Sequence, residues 1–188
     1  MTVSLLPRAF WFLRHGETDW NAQHLSQGNI DIPLNATGRA QAVTAADMLR
    51  HRGIATIVSS PLSRAHDTAL AFAGTVGLTV SLDEGLREVS FGVQDGQPMS
   101  EWFSDWVAGH STPENAESFS SLRARAVAAI NRALAHPAPV LVVAHGALFR
   151  ALRAEMGLEA NVRTANAMPF FCRPASPAWE LVPASEIR

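Results

Sequence analysis

The sequence predicts an α/β fold: a three-layer sandwich with a mainly parallel central sheet flanked by helices. Three observations carry the prediction. Apolar runs of strand length alternate with stretches of helical periodicity along most of the chain. The clearest run, PVLVVA at 139–144, is apolar throughout rather than alternating, as a strand buried on both faces must be. Glycine and proline fall between the runs and hardly within them, punctuating the segments.

Taken in order, AFWFLR (9–14) reads as the first strand and ends in Arg14-His15-Gly16. Ala40, Val43, Ala46 and Leu49 recur at helical spacing within 35–52; Asn35 or Thr37 is placed to cap the start and Gly53 to close the end. IATIVSS (54–60) is a second buried strand, stopped by Pro61, and a helix over 63–75 follows with Ala65, Ala69, Phe72 and Ala73 on one face. LTVSL (78–82) is a short third strand. The glycine- and proline-rich segment 83–117 reads as loops with one short helix over 99–107. The longest helical pattern, 117–136, places Phe119, Leu122, Ala126, Ala129, Ile130 and Ala133 in register. After the strand at 139–144 come a helix over 147–156 and two strands at 167–172 and 179–182.

The 188 residues suit one domain, 1–188, with a small lid over 93–116. A chain of this size buries roughly 70% of the surface of its unfolded form, enough for an unaided core. One cysteine, Cys172, excludes an internal disulfide framework and a multi-cysteine zinc site, and as part of a strand it reads as a small buried hydrophobe. The net charge of −2, with scattered basic residues, gives no footprint for nucleic acid. Pro7 and Arg8 interrupt any signal-peptide core, and no stretch approaches the ~20 apolar residues of a membrane span. The expectation is a cytoplasmic protein with no nucleic-acid or membrane partner.

Ligands of open α/β sheets bind beyond the carboxyl ends of the strands. Those ends here are Arg14-His15-Gly16-Glu17-Thr18, Ser59-Ser60-Pro61-Leu62-Ser63-Arg64 and His145-Gly146. Two histidines and two arginines would converge, a composition suited to a phosphoryl group. Guanidinium forks match phosphate oxygens, and a neutral imidazole can attack phosphorus and carry the group covalently. Glycine after each histidine permits a tight turn and would leave backbone N–H groups free near an anion. With charge spread over three equatorial oxygens in the transition state, clustered donors are the main catalytic need, and arginines can meet it without a metal or other cofactor. Each residue alone also has a plain structural reading, a satisfied histidine or a solvated arginine; the conjunction favours an anion-binding catalytic pocket.

LRHGETDWN (13–21) resembles the signature of the histidine phosphatase superfamily, which includes the cofactor-dependent phosphoglycerate mutases. The resemblance continues in order through Gln27-Gly28, Asp31, Pro33-Leu34, TGRAQA (37–42), SSPLSRA (59–65), Leu86-Arg87-Glu88, Phe91-Gly92, Glu117-Ser118-Phe119 and VVAHG (142–146), covering roughly 9–172. It implies a phosphoglycerate mutase-like fold, with His15 as the nucleophile that becomes phosphorylated. Arg14, Arg64 and His145 would hold the phosphoryl oxygens, with a hydrogen bond from Asn21. Glu88 would protonate the leaving oxygen and then help activate water. Gln27, Gly28 and Gly146 would complete the phosphate-binding set, the first two shaping the rim with Thr18. Where many members carry Trp-Glu-Gly after Phe-Gly, this chain reads Val93-Gln94-Asp95-Gly96, and Asn115-Ala116 replaces a frequent glycine pair. Those departures bear on specificity and loop flexibility rather than on core chemistry.

The resemblance implies a metal-independent phosphatase acting on a small-molecule phosphate ester. The alternatives are a phosphomutase, which returns the phosphoryl group to a second site, and a non-catalytic module that binds phosphorylated ligands. The mutases of the family carry a longer insertion between glutamate and second histidine, whereas Glu88 and His145 stand only 57 positions apart, which favours the phosphatase branch. Having His15, Glu88 and His145 together speaks against a mere binder, and the absence of G-x-G-x-x-G after the first strand against a dinucleotide site. His24, His51, His66, His110 and His136 show no metal-ligand spacing and read as surface or cap residues, with His24 an alternative candidate for the pocket mouth. Trp20 reads as a packing anchor, and Trp102, Phe103 and Trp106 as the packing of the lid. Tryptophans exposed around the lid would leave room for a homodimer.

Overall fold

The computed structural model describes residues 4–187. Four strands, β1 (Phe10–Arg14), β2 (Thr56–Ser59), β3 (Val80–Leu82) and β4 (Val140–Ala144), pair in parallel, and β5 (Pro169–Arg173) and β6 (Glu180–Pro183) extend the sheet. The order is β3-β2-β4-β1-β5-β6. Trp11 lies beside Leu141 and Thr56 beside Val140, so the carboxyl ends of β1, β2 and β4 finish level. β5 runs antiparallel to β1, with Pro169 opposite Leu13. The chain entering β5 therefore arrives at the edge where β1 ends.

Helices cover both faces. α2 (Ala36–Leu49) and α3 (Ser63–Val76) pack on one side; α5 (Phe119–Ala133) and α6 (Gly146–Glu155) pack on the other. The period-two geometry of a strand explains why β1 is apolar from Phe10 to Leu13. Trp11 and Leu13 join Ala45, Leu49 and Phe72 beneath α2 and α3, whereas Phe10 and Phe12 join Leu122, Ile130 and Phe149 beneath α5 and α6. Phe12 stacks on Phe149 with ring centroids 4.0 Å apart. Burying each such side chain stabilises the fold by about 1.5–3 kcal/mol. Cys172, in β5, is fully buried in the same core, where burial pushes its thiol pKa up.

Of the two caps proposed for α2, Asn35 is the one formed: its side chain accepts the Gly38 N–H at 2.8 Å. α3 closes with Gly77 at φ 71°, a left-handed conformation that glycine adopts without steric cost. One helix went unread in the sequence. α1 (Asp19–Ala22) is a single turn started by a capping box in which Thr18 accepts the Asn21 N–H and the Asn21 side chain accepts the Thr18 N–H. Four residues are too few to show a period.

The segment 83–117 consists of two 3₁₀ turns, at Glu84–Leu86 and Gly92–Gln94, and α4 (Glu101–Val107). Phe91 meets Trp102, Phe103 and Trp106 edge-on, at centroid distances of 5.2, 5.8 and 5.2 Å. Trp106 is fully buried, and its Nε1 donates to the Glu117 carbonyl at 2.9 Å. Trp102 is half-buried against the same core. The expectation of exposed tryptophans is thus corrected for Trp106, which packing against Phe91 and Phe119 takes fully inward, while Trp102 keeps part of its surface. Trp20 lies against Gly96, where a Cβ would come within 3.2 Å of its ring.

Candidate active site

The level strand ends bring Arg14 and His15 together with Arg64, from the first turn of α3, and His145, from the end of β4. His15 is buried, and its Nδ1 lies 2.7 Å from the Gly16 carbonyl oxygen. A carbonyl can only accept, so Nδ1 carries the proton and Nε2 keeps its lone pair. Burial, with the positive charges of Arg64 and Arg14 added, holds the His15 pKa well below 6.5. The ring is neutral at physiological pH.

Both arginines are fixed by backbone carbonyls. Arg14 Nη1 donates to Thr164 O at 2.5 Å. Arg64, fully buried, donates from Nη1 to Ile30 O and from Nη2 to Gly28 O, each at 2.8 Å. In each, Nε is buried without a protein partner, a donor available to an anion. Burial lowers both pKa values to about 10, with the Glu88 charge opposing the shift, so both stay charged at neutral pH.

Glu88 sits where α6 begins: its Oε2 accepts the Ala147 N–H at 2.9 Å and its Oε1 the Leu148 N–H at 3.0 Å. His145 lies behind His15, with ring centroids 5.3 Å apart. Its Nε2 is 2.7 Å from Ser60 Oγ, and its Nδ1 is buried without a partner. Burial first, then Arg64, His15 and Arg14, holds the His145 pKa well below 6.5. Asn21 Oδ1 accepts from both Thr18 N and Asn166 Nδ2, which turns its amide nitrogen away from those contacts. Gln27 accepts the Thr18 hydroxyl at 2.8 Å.

These groups surround a cavity of about 280 Å³, near the lower end of small-molecule sites. Arg14, His15, Asn21, Gln27, Gly28, Arg64, Glu88 and Gly146 line it, with His145 behind His15. One sequence reading changes. The Gly16 N–H is not free for an anion, because it donates to Thr68 Oγ1 at 3.0 Å; a Cβ on Gly16 would instead collide with the backbone of Gly38. For His24 the structure adds the pocket-mouth alternative to the surface one: it is exposed and lines the cavity, at φ 57°.

Sequence reasoning missed Arg150, Arg163 and Met99 on the cavity wall and Asn166 behind it. Arg150 was within reach of helical spacing, four residues after Gly146. Arg163 and Asn166 were not, because only the antiparallel course of β5 brings their loop back to Arg14. Among the described residues, no group of three or more His, Cys, Asp or Glu side chains is arranged to hold a metal, and no helix is long and apolar enough to cross a membrane.

A neutral imidazole beside buried guanidinium donors and one carboxylate, at the strand ends of an α/β sheet, defines a site built to handle a phosphoryl group. The family model of the histidine phosphatase superfamily (branch 1) matches residues 10–170, and the chain belongs to that superfamily. It is 38% identical over 164 residues to a Yersinia pestis protein named probable phosphoglycerate mutase GpmB, an alignment covering 80% of this chain and 76% of the relative. Among solved structures it is similar to a mycobacterial glucosyl-3-phosphoglycerate phosphatase complexed with VO3, at TM-score 0.80 and 34% identity, over 93% of this chain and 96% of the other. A phosphoserine phosphatase from Entamoeba histolytica, 24% identical at TM-score 0.78 over 92% and 94% of the two chains, shares the fold.

Proposed function

We propose that this enzyme hydrolyses a small-molecule phosphomonoester through a phosphohistidine intermediate, without a metal ion. The observation that carries the reading is His15: with Nδ1 committed to the Gly16 carbonyl and the ring held neutral, Nε2 is the nucleophile. Nε2 attacks phosphorus, the ester P–O bond breaks, and Glu88 carries a proton to the departing oxygen. Glu88 then takes a proton from water as that water attacks the phosphohistidine, releasing phosphate and restoring the lone pair. Arg14, Arg64 and His145 bear the charge on the equatorial oxygens, with Asn21, Gln27, Gly28 and Gly146 completing the cradle. The unpartnered Nε of each arginine and Nδ1 of His145 support that assignment. The named activity of the mycobacterial phosphatase supports hydrolysis, and we place the activity in the cytoplasm, where small phosphorylated metabolites are found.

The test is the fate of phosphate across a panel of phosphate esters in the presence of EDTA. Turnover in wild type, its loss in His15→Ala, and an acid-labile phosphoenzyme trapped only in wild type are expected. No turnover by folded wild type, or full turnover by His15→Ala, would overturn the reading. A mutase is the second reading, favoured by the name of the Yersinia relative. Phosphoryl return to a second hydroxyl, seen by ³¹P NMR in place of inorganic phosphate, would establish it.

A further inference from the structure

Glu88 stands on irregular backbone between the 3₁₀ turns Glu84–Leu86 and Gly92–Gln94, with no helix or strand ladder of its own to fix it. The N–H groups at the start of α6 aim its carboxylate, but only if the main chain first carries the side chain to them. The main chain here is held from α5 and from Glu117, just before that helix. Arg125, in the second turn of α5, donates from Nη1 to Gly85 O at 2.9 Å and to Arg87 O at 2.7 Å. Its remaining donors fork onto the Glu117 carboxylate, Nε to Oε1 at 3.0 Å and Nη2 to Oε2 at 2.6 Å.

Glu117 in turn donates its own N–H to Ser90 O at 2.9 Å. The chain is therefore gripped on both sides of Glu88, by Arg125 at Gly85 and Arg87 and by Glu117 at Ser90. A bidentate pair stops the guanidinium from rotating, so the carbonyls on Nη1 are fixed relative to α5. Leu86 and Val89, flanking Glu88, are fully buried, which leaves the segment little room to slide. The Glu117 carbonyl also accepts the Trp106 indole N–H at 2.9 Å, tying α4 to the same clasp.

We propose that Arg125, clamped by Glu117, is a positioning residue for the general acid: it holds the main chain around Glu88 so that the carboxyl group meets the leaving oxygen. This rests on the proposed phosphohydrolase reading and deepens it. Arg125→Lys separates position from charge. It keeps the positive charge, including its effect on His145, but one ammonium cannot fork onto Glu117 and meet both carbonyls at once. The Glu88 carboxyl should then be displaced while Arg14, His15 and Arg64 stay in place.

The test compares glycerol 3-phosphate, whose alkoxide must be protonated to leave, with p-nitrophenyl phosphate, whose phenolate need not. Arg125→Lys should lower kcat for glycerol 3-phosphate about ten- to hundredfold and for p-nitrophenyl phosphate less than about threefold, with KM little changed. Glu117→Gln, which loosens the fork, should shift the ratio of the two rates in the same direction, and carries the test if Arg125→Lys fails to fold. In a Glu88→Gln background, Arg125→Lys should leave the ratio where Glu88→Gln has put it. Arg132, further along α5, forks onto Asp83 upstream of the clasp, and Arg132→Gln should lower Tm without moving the ratio. Equal losses on both esters, a shift that persists in the Glu88→Gln background, or an equal shift in Arg132→Gln would overturn the positioning role. No turnover of either ester by folded wild type would instead overturn the phosphohydrolase reading, and the role of Arg125 with it.

Discussion

Glu88 and Ala147 join the loop after β3 to the start of α6: the Glu88 carboxylate accepts the Ala147 N–H at 2.9 Å, with the Leu148 N–H on its other oxygen at 3.0 Å. The side chain meant to shuttle the proton is therefore oriented by backbone and cannot swing freely. It faces the cavity from beside the N-terminus of α6, the helix that carries Gly146 and Arg150.

A carboxyl group in that role matters in proportion to how badly the leaving group needs a proton. Glu88→Gln should lower kcat for an alkyl phosphate by about 10²–10⁴-fold, but far less for p-nitrophenyl phosphate, whose phenolate leaves unaided. Steady-state kinetics on the two esters make the comparison. Equal losses on both would show that Glu88 serves binding or structure, not proton transfer.

The two buried histidines should make the fold sensitive to mild acid. Both His15 and His145 are held well below 6.5, mainly by burial and by the neighbouring guanidinium groups. With the folded pKa depressed, the unfolded chain takes up the protons first, so stability is complete above pH 6.5 and falls as pH drops below it. Between pH 6.5 and 5.5 each histidine should cost about 1 kcal/mol, or about 2 kcal/mol for the pair. Urea unfolding at the two pH values measures this, and His15→Asn should remove about half of the dependence. A stability unchanged across that interval would mean that the histidines take up protons in the fold as readily as in the unfolded chain.

Gly28 should tolerate no side chain. Its φ is +52°, and a Cβ there would run into the Asp95 carboxylate. Its carbonyl also holds Arg64 Nη2. Gly28→Ala should cost about 1–3 kcal/mol of stability and weaken substrate binding as Arg64 loses its anchor. Thermal unfolding together with KM would report both effects; an unchanged Tm would show that the loop relaxes around the methyl group.

What the sequence disclosed follows the range of each interaction. A helix of fourteen residues such as α3 repeats its apolar face often enough to be read. In α2, by contrast, the predicted Ala40 and Val43 are exposed, and Ala42 and Ala45 join Ala46 and Leu49 on the buried face. β4 could be read because five successive apolar residues have no other place than a sheet covered on both sides. The groups at the ends of β1 and β4 were legible because a parallel sheet gathers its carboxyl ends at one edge. Pairing partners are not written locally, so neither the strand order nor the reversed β5 could be read. That reversal is what carries Thr164 and Asn166 to Arg14 and His15. The inward turn of Trp106 was hidden for the same reason, since its partners Phe91 and Glu117 lie in other segments.

Asn166 offers a test of how far that loop sets the chemistry. Its Nδ2 donates to the His15 carbonyl at 3.0 Å and to Asn21 Oδ1 at 3.1 Å, so one amide fixes both the nucleophile's backbone and the orientation of the Asn21 side chain. Asn166→Ala removes both bonds and should lower kcat/KM about three- to tenfold, in line with about 0.5–1.5 kcal/mol for a neutral hydrogen bond. Asn166→Asp does more, because it faces two acceptor oxygens with a carboxylate and adds a negative charge close to His15. That charge favours the imidazolium and so raises the His15 pKa. Because only the neutral ring attacks, the acidic limb of kcat/KM should move to higher pH in Asn166→Asp but not in Asn166→Ala. Measuring all three proteins with the same ester cancels the ester's own ionisation. A loop with a merely structural role would lower activity in both variants and leave the pH profile where it stands in wild type.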